Sequence, residues 1–168
     1  MKLFTALVLT LTFGMAASLA NAGTLESPQG SVILTVSGAI ENTNGDGVAR
    51  FDKAMLEALQ QRTTETATPW HEGVVSFEGP LGSALLDAVG ASGETMQVTA
   101  INDYSAEVPV SDFYDHEVIL ALKADGKYMR VRDKGPLFII YPFDEKPELS
   151  SEIIHNRSVW QIKAIDIK

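Results

Sequence analysis

No cysteine occurs anywhere in the sequence. No disulfide can staple the chain, and no thiolate is available to hold a metal, so stability must come from burial alone. Basic residues are also sparse: 13 Lys and Arg stand against 22 Asp and Glu, for a net charge of −9. That sign argues against nucleic acid or an anionic membrane as the main partner, because both are bound through basic surface. The sequence has no nucleophile elbow, Walker loop, dinucleotide fingerprint or paired-histidine motif. His71, His116 and His155 are far apart with no ligand spacing and read as surface imidazoles. No residue is therefore assigned a catalytic or metal-binding role. Internal repeats and low-complexity tracts are lacking too.

What is present begins with the layout of a secretory signal peptide. Lys2 gives the positive start, Leu3 to Met15 is almost wholly apolar, and Ala20-Asn21-Ala22 is a small-x-small cleavage site. About 13 apolar residues are too few to cross a hydrocarbon core that needs roughly 20. Cleavage after Ala22 and export to the periplasm are expected. Residues 23–168 then form one domain, with chain enough for one core.

The expected elements follow from periodicity and turn chemistry. Val32 to Val36, closed by Ser37-Gly38, reads as a buried strand. Glu41 to Gly47 has part of a calcium-loop pattern, but Lys53 stands where a bidentate Glu is required, so it reads as a turn. Asp52 is placed to cap a helix over Lys53 to Gln60, with Phe51 and Leu56 as a hydrophobic staple. Thr63 to Thr68 and Val74 to Phe77 have strand character and are joined by an irregular link, Thr68 to Gly73. A second helix is expected with Pro80 at its first position and Gly90 at its stop. Met96 to Ile101 and Val118 to Leu122 read as strands, and Asp125-Gly126 as a type I′ hairpin turn leading into Lys127 to Val131. Leu137 to Tyr141, apolar throughout, reads as a central strand. Val159 to Ile167 shifts phase near Ala164 and Ile165, as a bulge would make it. Six or more strands with two short helices in mixed order predict an α+β fold.

Polar and aromatic groups gather in strand-end segments, where sites usually sit on a rigid scaffold: Trp70-His71-Glu72, Asn102-Asp103-Tyr104 and Arg130 to Pro136. Each also has a structural reading. Trp70 could be a core plug, Asn102-Asp103 a plain turn, and Arg132-Asp133-Lys134 a solvated charge run.

In order and spacing, several segments together resemble the sulfite oxidase fold, the molybdopterin-binding domain of bacterial and eukaryotic oxidoreductases. They are Val32 to Ile40, the Phe51 to Leu59 helix, Phe77-Glu78-Gly79-Pro80-Leu81, Asn102-Asp103-Tyr104, Val108-Pro109-Val110, and Asp125-Gly126-Lys127 followed by Val131 to Leu137. The resemblance covers nearly all of residues 23–168. It implies that a catalytic member would hold molybdenum through the cofactor dithiolene and one cysteine thiolate near Thr66 to Trp70. This chain has none, and neither Thr68 nor Trp70 replaces a soft thiolate, so bound molybdenum is not expected.

The chain is more similar to a cysteine-less subset with Thr-Pro-Trp at this place, which resembles periplasmic pterin-binding regulators. That resemblance implies a reduced pterin as ligand. It implies as partner the periplasmic domain of a membrane-bound diguanylate cyclase/phosphodiesterase, which makes and degrades cyclic di-GMP, with no direct membrane binding. The alternative it leaves is a molybdopterin-dependent oxidoreductase, or its electron-transfer component, without the cysteine ligand. A pterin offers an aromatic face and a guanidine-like edge beside a carbonyl. Trp70 can supply the stacking face, Asp103 or Asp133 the acceptor, and Arg132, Asn102 or Lys134 the donor. Tyr104 completes the expected ligand-binding set.

Overall fold

The computed structural model describes residues 25–168, so the signal segment and its cleavage site lie outside the described residues. Leu34 and Val36 alternate with half-buried neighbours in β1 (Val32–Gly38), which places one face of that strand in a core. It belongs to a five-stranded sheet with β2 (Ala49–Asp52), β5 (Thr95–Ala100), β6 (Ser105–Pro109) and β11 (Ile162–Ile167), in the order β2-β1-β11-β5-β6. β1 and β11 run parallel, with Thr35 opposite Ala164, and the other pairs are antiparallel. The register of β11 against β5 shifts between Ile162 and Ala164, one residue from where the sequence loses its alternation.

A second sheet is built from β3 (Gln61–Ala67), β4 (Val74–Pro80), β8 (Lys123–Ala124) and β9 (Lys127–Tyr128). Asp125 and Gly126 join the last two with φ of 48° and 73°, the paired positive angles of a type I′ turn. Between the two sheets lies a two-stranded ribbon of β7 (Ile119–Ala121) and β10 (Phe138–Ile140). Leu120 and Ile139 enter the larger core with Leu34, Leu85 and Ile165, whereas Ile119, Ala121, Phe138 and Ile140 enter a smaller one with Val75, Phe77 and Met129. Burial on both faces explains the unbroken apolar runs around both strands. Leu137 to Tyr141 is therefore central in burial while its ladder has only two strands. Gly79 lets β4 press against this ribbon, since a Cβ there would lie 2.1 Å from the Leu120 carbonyl oxygen.

Asp52 caps α1 (Lys53–Ala58), accepting from the Met55 N–H, and Phe51 and Leu56 are both buried in the larger core as a staple requires. α2 (Gly82–Val89) ends at Gly90, whose φ of 60° closes it in the left-handed form. It starts later than expected: Pro80 closes β4, pairing with Gln61, and Leu81 is the N-cap. Two further helices were not anticipated, α3 (Val110–Asp115) and α4 (Glu152–Arg157), each of six residues. The Asn44 side chain bonds twice to the Arg50 backbone and Asp46 pairs with Arg50 at 3.0 Å, so the 41–47 turn is tied to the start of β2 through its polar side chains. Among the described residues, no helix is long and apolar enough to cross a membrane.

The Asp52 carboxylate also accepts from the N–H groups of Gln29 (2.8 Å) and Gly30 (2.7 Å), tying the segment before β1 to the start of α1. Led by the Met55 N–H, these donors hold its pKa below the ordinary 3.8. A carboxyl depressed on folding contributes stability above its unfolded pKa, and that contribution is lost as pH falls through the lower folded value. Asp52→Ala is expected to lower the melting temperature at neutral pH and to flatten its decline below about pH 4. Thermal melts of both proteins between about pH 7 and 2.5 check this; parallel curves would remove Asp52 from the acid response.

Candidate ligand-binding site

The link between β3 and β4 is organised by Thr68. Its buried hydroxyl lies 2.8 Å from His71 Nδ1 and accepts weakly from the Trp70 N–H at 3.4 Å, while its carbonyl accepts from the His71 N–H. This tight turn contributes adjacent side chains to different depressions. The Trp70 ring meets Phe138 and Trp160 edge-on, each at 5.5 Å between centroids, and His155 at 5.8 Å. His71 packs on Phe77 at 5.3 Å, and burial, with Lys134 nearby, pushes its pKa below the usual imidazole value.

Trp70 lines a cavity of about 450 Å³ together with Pro69, Asn102, Tyr104, His155, Asn156, Ser158 and Trp160. Asn102 and Tyr104 come from the β5–β6 turn, where Asn102 Oδ1 accepts from the Tyr104 N–H at 3.2 Å. His155 and Asn156 lie on α4, and the Tyr104 hydroxyl donates to the Asn156 carbonyl at 3.3 Å, joining the two elements across the cavity wall. Trp160 precedes β11 and bridges to Phe138 of the ribbon. Aromatic rings, two carboxamides, two hydroxyls and an imidazole give this cavity flat apolar faces and polar edges, the make-up that suits a small heterocycle.

Arg132, Asp133 and Lys134 lie elsewhere, in a wider depression of about 670 Å³ shared with His71, Lys127, Tyr128 and Arg130. Here Asp133 is engaged by Arg130 at 2.7 Å and more loosely by Arg132 at 3.7 Å, and the Arg130 hydrogen bond leads the causes holding its carboxyl below the usual range. Asp103 lines neither depression. It has a positive φ of 65°, its side chain is 84% exposed and pairs with Lys163, and that bond lowers its pKa. The structure thus unites Trp70, Asn102 and Tyr104, gathers Arg132, Asp133 and Lys134 at a second place, and leaves Asp103 outside both. The acceptors that line the aromatic cavity are amide, hydroxyl and imidazole groups rather than a carboxylate.

Sequence reasoning missed His155, Asn156, Ser158 and Trp160. Three of these depend on α4 or its end, whose signal was Ser151, an N-cap accepting from the Ile154 N–H. A buried ionic lock holds that helix in place. Asp112 of α3 accepts from the Tyr141 hydroxyl at 2.8 Å and from Arg157 Nη1 at 3.0 Å. Burial first, and then the Asp112 charge, push the Tyr141 phenol far above its ordinary pKa.

The residues at the loop do not fit a thiolate-ligated molybdenum. The Thr68 hydroxyl is committed to its own turn, and the Thr66 hydroxyl accepts from the Asp144 N–H and donates to the Ala67 carbonyl. Neither is a soft ligand.

No protein-family model matches the chain, and no curated protein matches it. Among solved structures it is similar to the sulfane dehydrogenase SoxCD from Paracoccus pantotrophus, with a TM-score of 0.61 and 18% sequence identity over 86% of this chain. The matched region spans 40% of that dehydrogenase chain. The mixed α+β architecture is sulfite oxidase-like, and at this identity the likeness concerns the fold.

Removing the Asp112 carboxylate would leave the Tyr141 hydroxyl and the Arg157 guanidinium without their shared acceptor. Asp112→Ala is expected to cost about 3 kcal/mol of unfolding free energy, and Tyr141→Phe about 1 kcal/mol. Urea titrations measure both; a loss below about 1 kcal/mol in Asp112→Ala would show that the lock contributes little.

Proposed function

We propose that this protein is a periplasmic, non-catalytic pterin-binding protein that signals to the periplasmic domain of a membrane-bound diguanylate cyclase/phosphodiesterase. The observation that carries the reading is the aromatic cavity beside the Thr68–His71 turn, in a sulfite oxidase-like fold whose catalytic thiolate this chain lacks. Trp70 and Trp160 offer ring surfaces, and Asn102 and Asn156 offer donors and acceptors for the heterocycle edge. With its oxygen held by the Tyr104 N–H, Asn102 keeps its NH₂ for the carbonyl of a pterin, and the Asn156 carboxamide can turn its oxygen to the N–H edge.

The runner-up is a molybdopterin-dependent oxidoreductase, or an electron-transfer component of one, without the cysteine ligand. Its support is the likeness of the fold to a sulfane dehydrogenase. Stoichiometric molybdenum in protein purified from its native compartment would favour this reading over the first.

Titration with a tetrahydropterin, followed by calorimetry, tests the binding reading. Stacking on an aromatic ring is worth about 1 to 3 kcal/mol, so Trp70→Ala is expected to weaken binding roughly five- to 150-fold. Quenching of Trp fluorescence should shrink in the same variant, with Trp160 contributing the remainder. Equal affinities of the wild type and Trp70→Ala would make Trp70 a packing residue and sink the proposal.

A further inference from the structure

Four of the 13 basic residues, Lys127, Arg130, Arg132 and Lys134, line one depression in which Asp133 is the one acid among the described residues, whereas Lys123 of the same hairpin turns away to pair with Glu78 at 3.4 Å. They sit on the β8–β9 hairpin and on the 3-10 turn Val131–Asp133 that follows. On a chain of net charge −9 this is a local reversal of sign. Apolar surface is interleaved with it: Tyr128 is 47% exposed and Val131 50%.

We infer that this face docks an acidic segment of a protein partner, which deepens the proposed signalling role and rests on that reading for its biological meaning. The Arg130 and Arg132 side chains are 65% and 70% exposed, and both turn toward Asp133. Groups so open and already engaged are not preorganised around a compact anion such as phosphate, which calls for fixed, converging donors. Exposed arginines beside a tyrosine and a valine have the composition of a protein interface. The choice between macromolecules follows from extent. A nucleic acid or an anionic membrane presents charge well beyond the patch and so also comes within the roughly 8 Å screening length of the acidic remainder of the chain, whereas a short acidic protein segment can confine its charge to the patch.

The face is joined to the aromatic cavity by two pairs of consecutive residues. Trp70 lines the cavity and His71 the basic depression. Trp160 lines the cavity, while the next residue, Gln161, donates through Nε2 to the Val131 carbonyl at 2.6 Å and through its backbone N–H to the Lys134 carbonyl at 3.0 Å. A ligand that repositions Trp70 or Trp160 acts on backbone shared with the docking face, and by linkage a docked partner acts equally on the ligand.

The test uses fluorescence anisotropy with two labelled synthetic peptides, one rich in Asp and Glu with interspersed Leu, the other with Asn and Gln in their place. The acidic peptide is expected to bind at least about tenfold tighter, and to lose most of that advantage between about 50 and 200 mM salt. Lys127→Glu/Arg130→Glu should abolish the preference while tetrahydropterin binding, read by calorimetry, persists. Trp70→Ala should leave peptide binding intact, so failure of the pterin reading and failure of this one are separable. Equal binding of the two peptides would overturn the inference. So would displacement of the acidic peptide by micromolar pyrophosphate, preferential binding to phosphatidylglycerol vesicles, or self-association that the double variant removes.

Discussion

The structure depends on the double burial of one thin ribbon. β7 and β10 have no water-facing side, so their alternate residues must satisfy two cores at once, Leu120 and Ile139 in one and Ile119, Phe138 and Ile140 in the other. Two short strands make a weak ladder by themselves, and packing from both directions supplies what the ladder lacks. Phe138 lies where these demands meet the site. Its ring supports Trp70 and Trp160, with centroids 5.5 and 6.0 Å away, so the cavity wall inherits its rigidity from the smaller core.

Much of the fold is legible in the sequence because the elements rest on local rules. The Asp52 cap, the Gly90 stop, the Asp125-Gly126 turn and the broken alternation of the last strand each have a short-range cause, and each stands within a residue or two of where that cause puts it. Pro80 misled because a proline suits both the first turn of a helix and the last residue of a strand, and pairing with Gln61 decided for the strand. Six residues are too few to display a helical period; α1, equally short, is marked by its Asp52 cap and Phe51–Leu56 staple, whereas α3 has no side-chain cap and α4 has the Ser151 cap alone. The site was legible in part for the same reason. Trp70, Asn102 and Tyr104 lie in loops whose composition marks them, whereas His155 and Trp160 gain meaning only from long-range packing. A list of strand-end loops also cannot tell which end of which strand faces a common space, so the basic segment was grouped with the aromatic one although the structure keeps them apart.

The turn at Thr68 shows how a chain without cysteine can still use the end of β3. A single hydroxyl orders the loop by engaging His71 and the Trp70 N–H. The loop presents a ring to one depression and an imidazole to another, and α4 completes the first of them through a helix whose end is anchored by Arg157 on a buried carboxylate. Breaking that pair leaves a buried carboxylate or a half-buried guanidinium without its partner, which is why the end of α4 is held where it is.

The parallel pairing of β1 with β11 has a consequence for how the chain comes to be folded. β11 stands between β1 and β5 in the sheet, yet it follows every other described strand in the chain. Until its residues are available, β1 and β5 each carry a bare edge, and the loop to be closed between Thr35 and Ala164 includes almost the whole domain. Such closure is entropically slow and cannot be anticipated by local hairpins. A chain emerging N-terminus first can form the β1–β2 and β5–β6 pairs locally, but nothing joins those two halves of the sheet until the strand between them arrives.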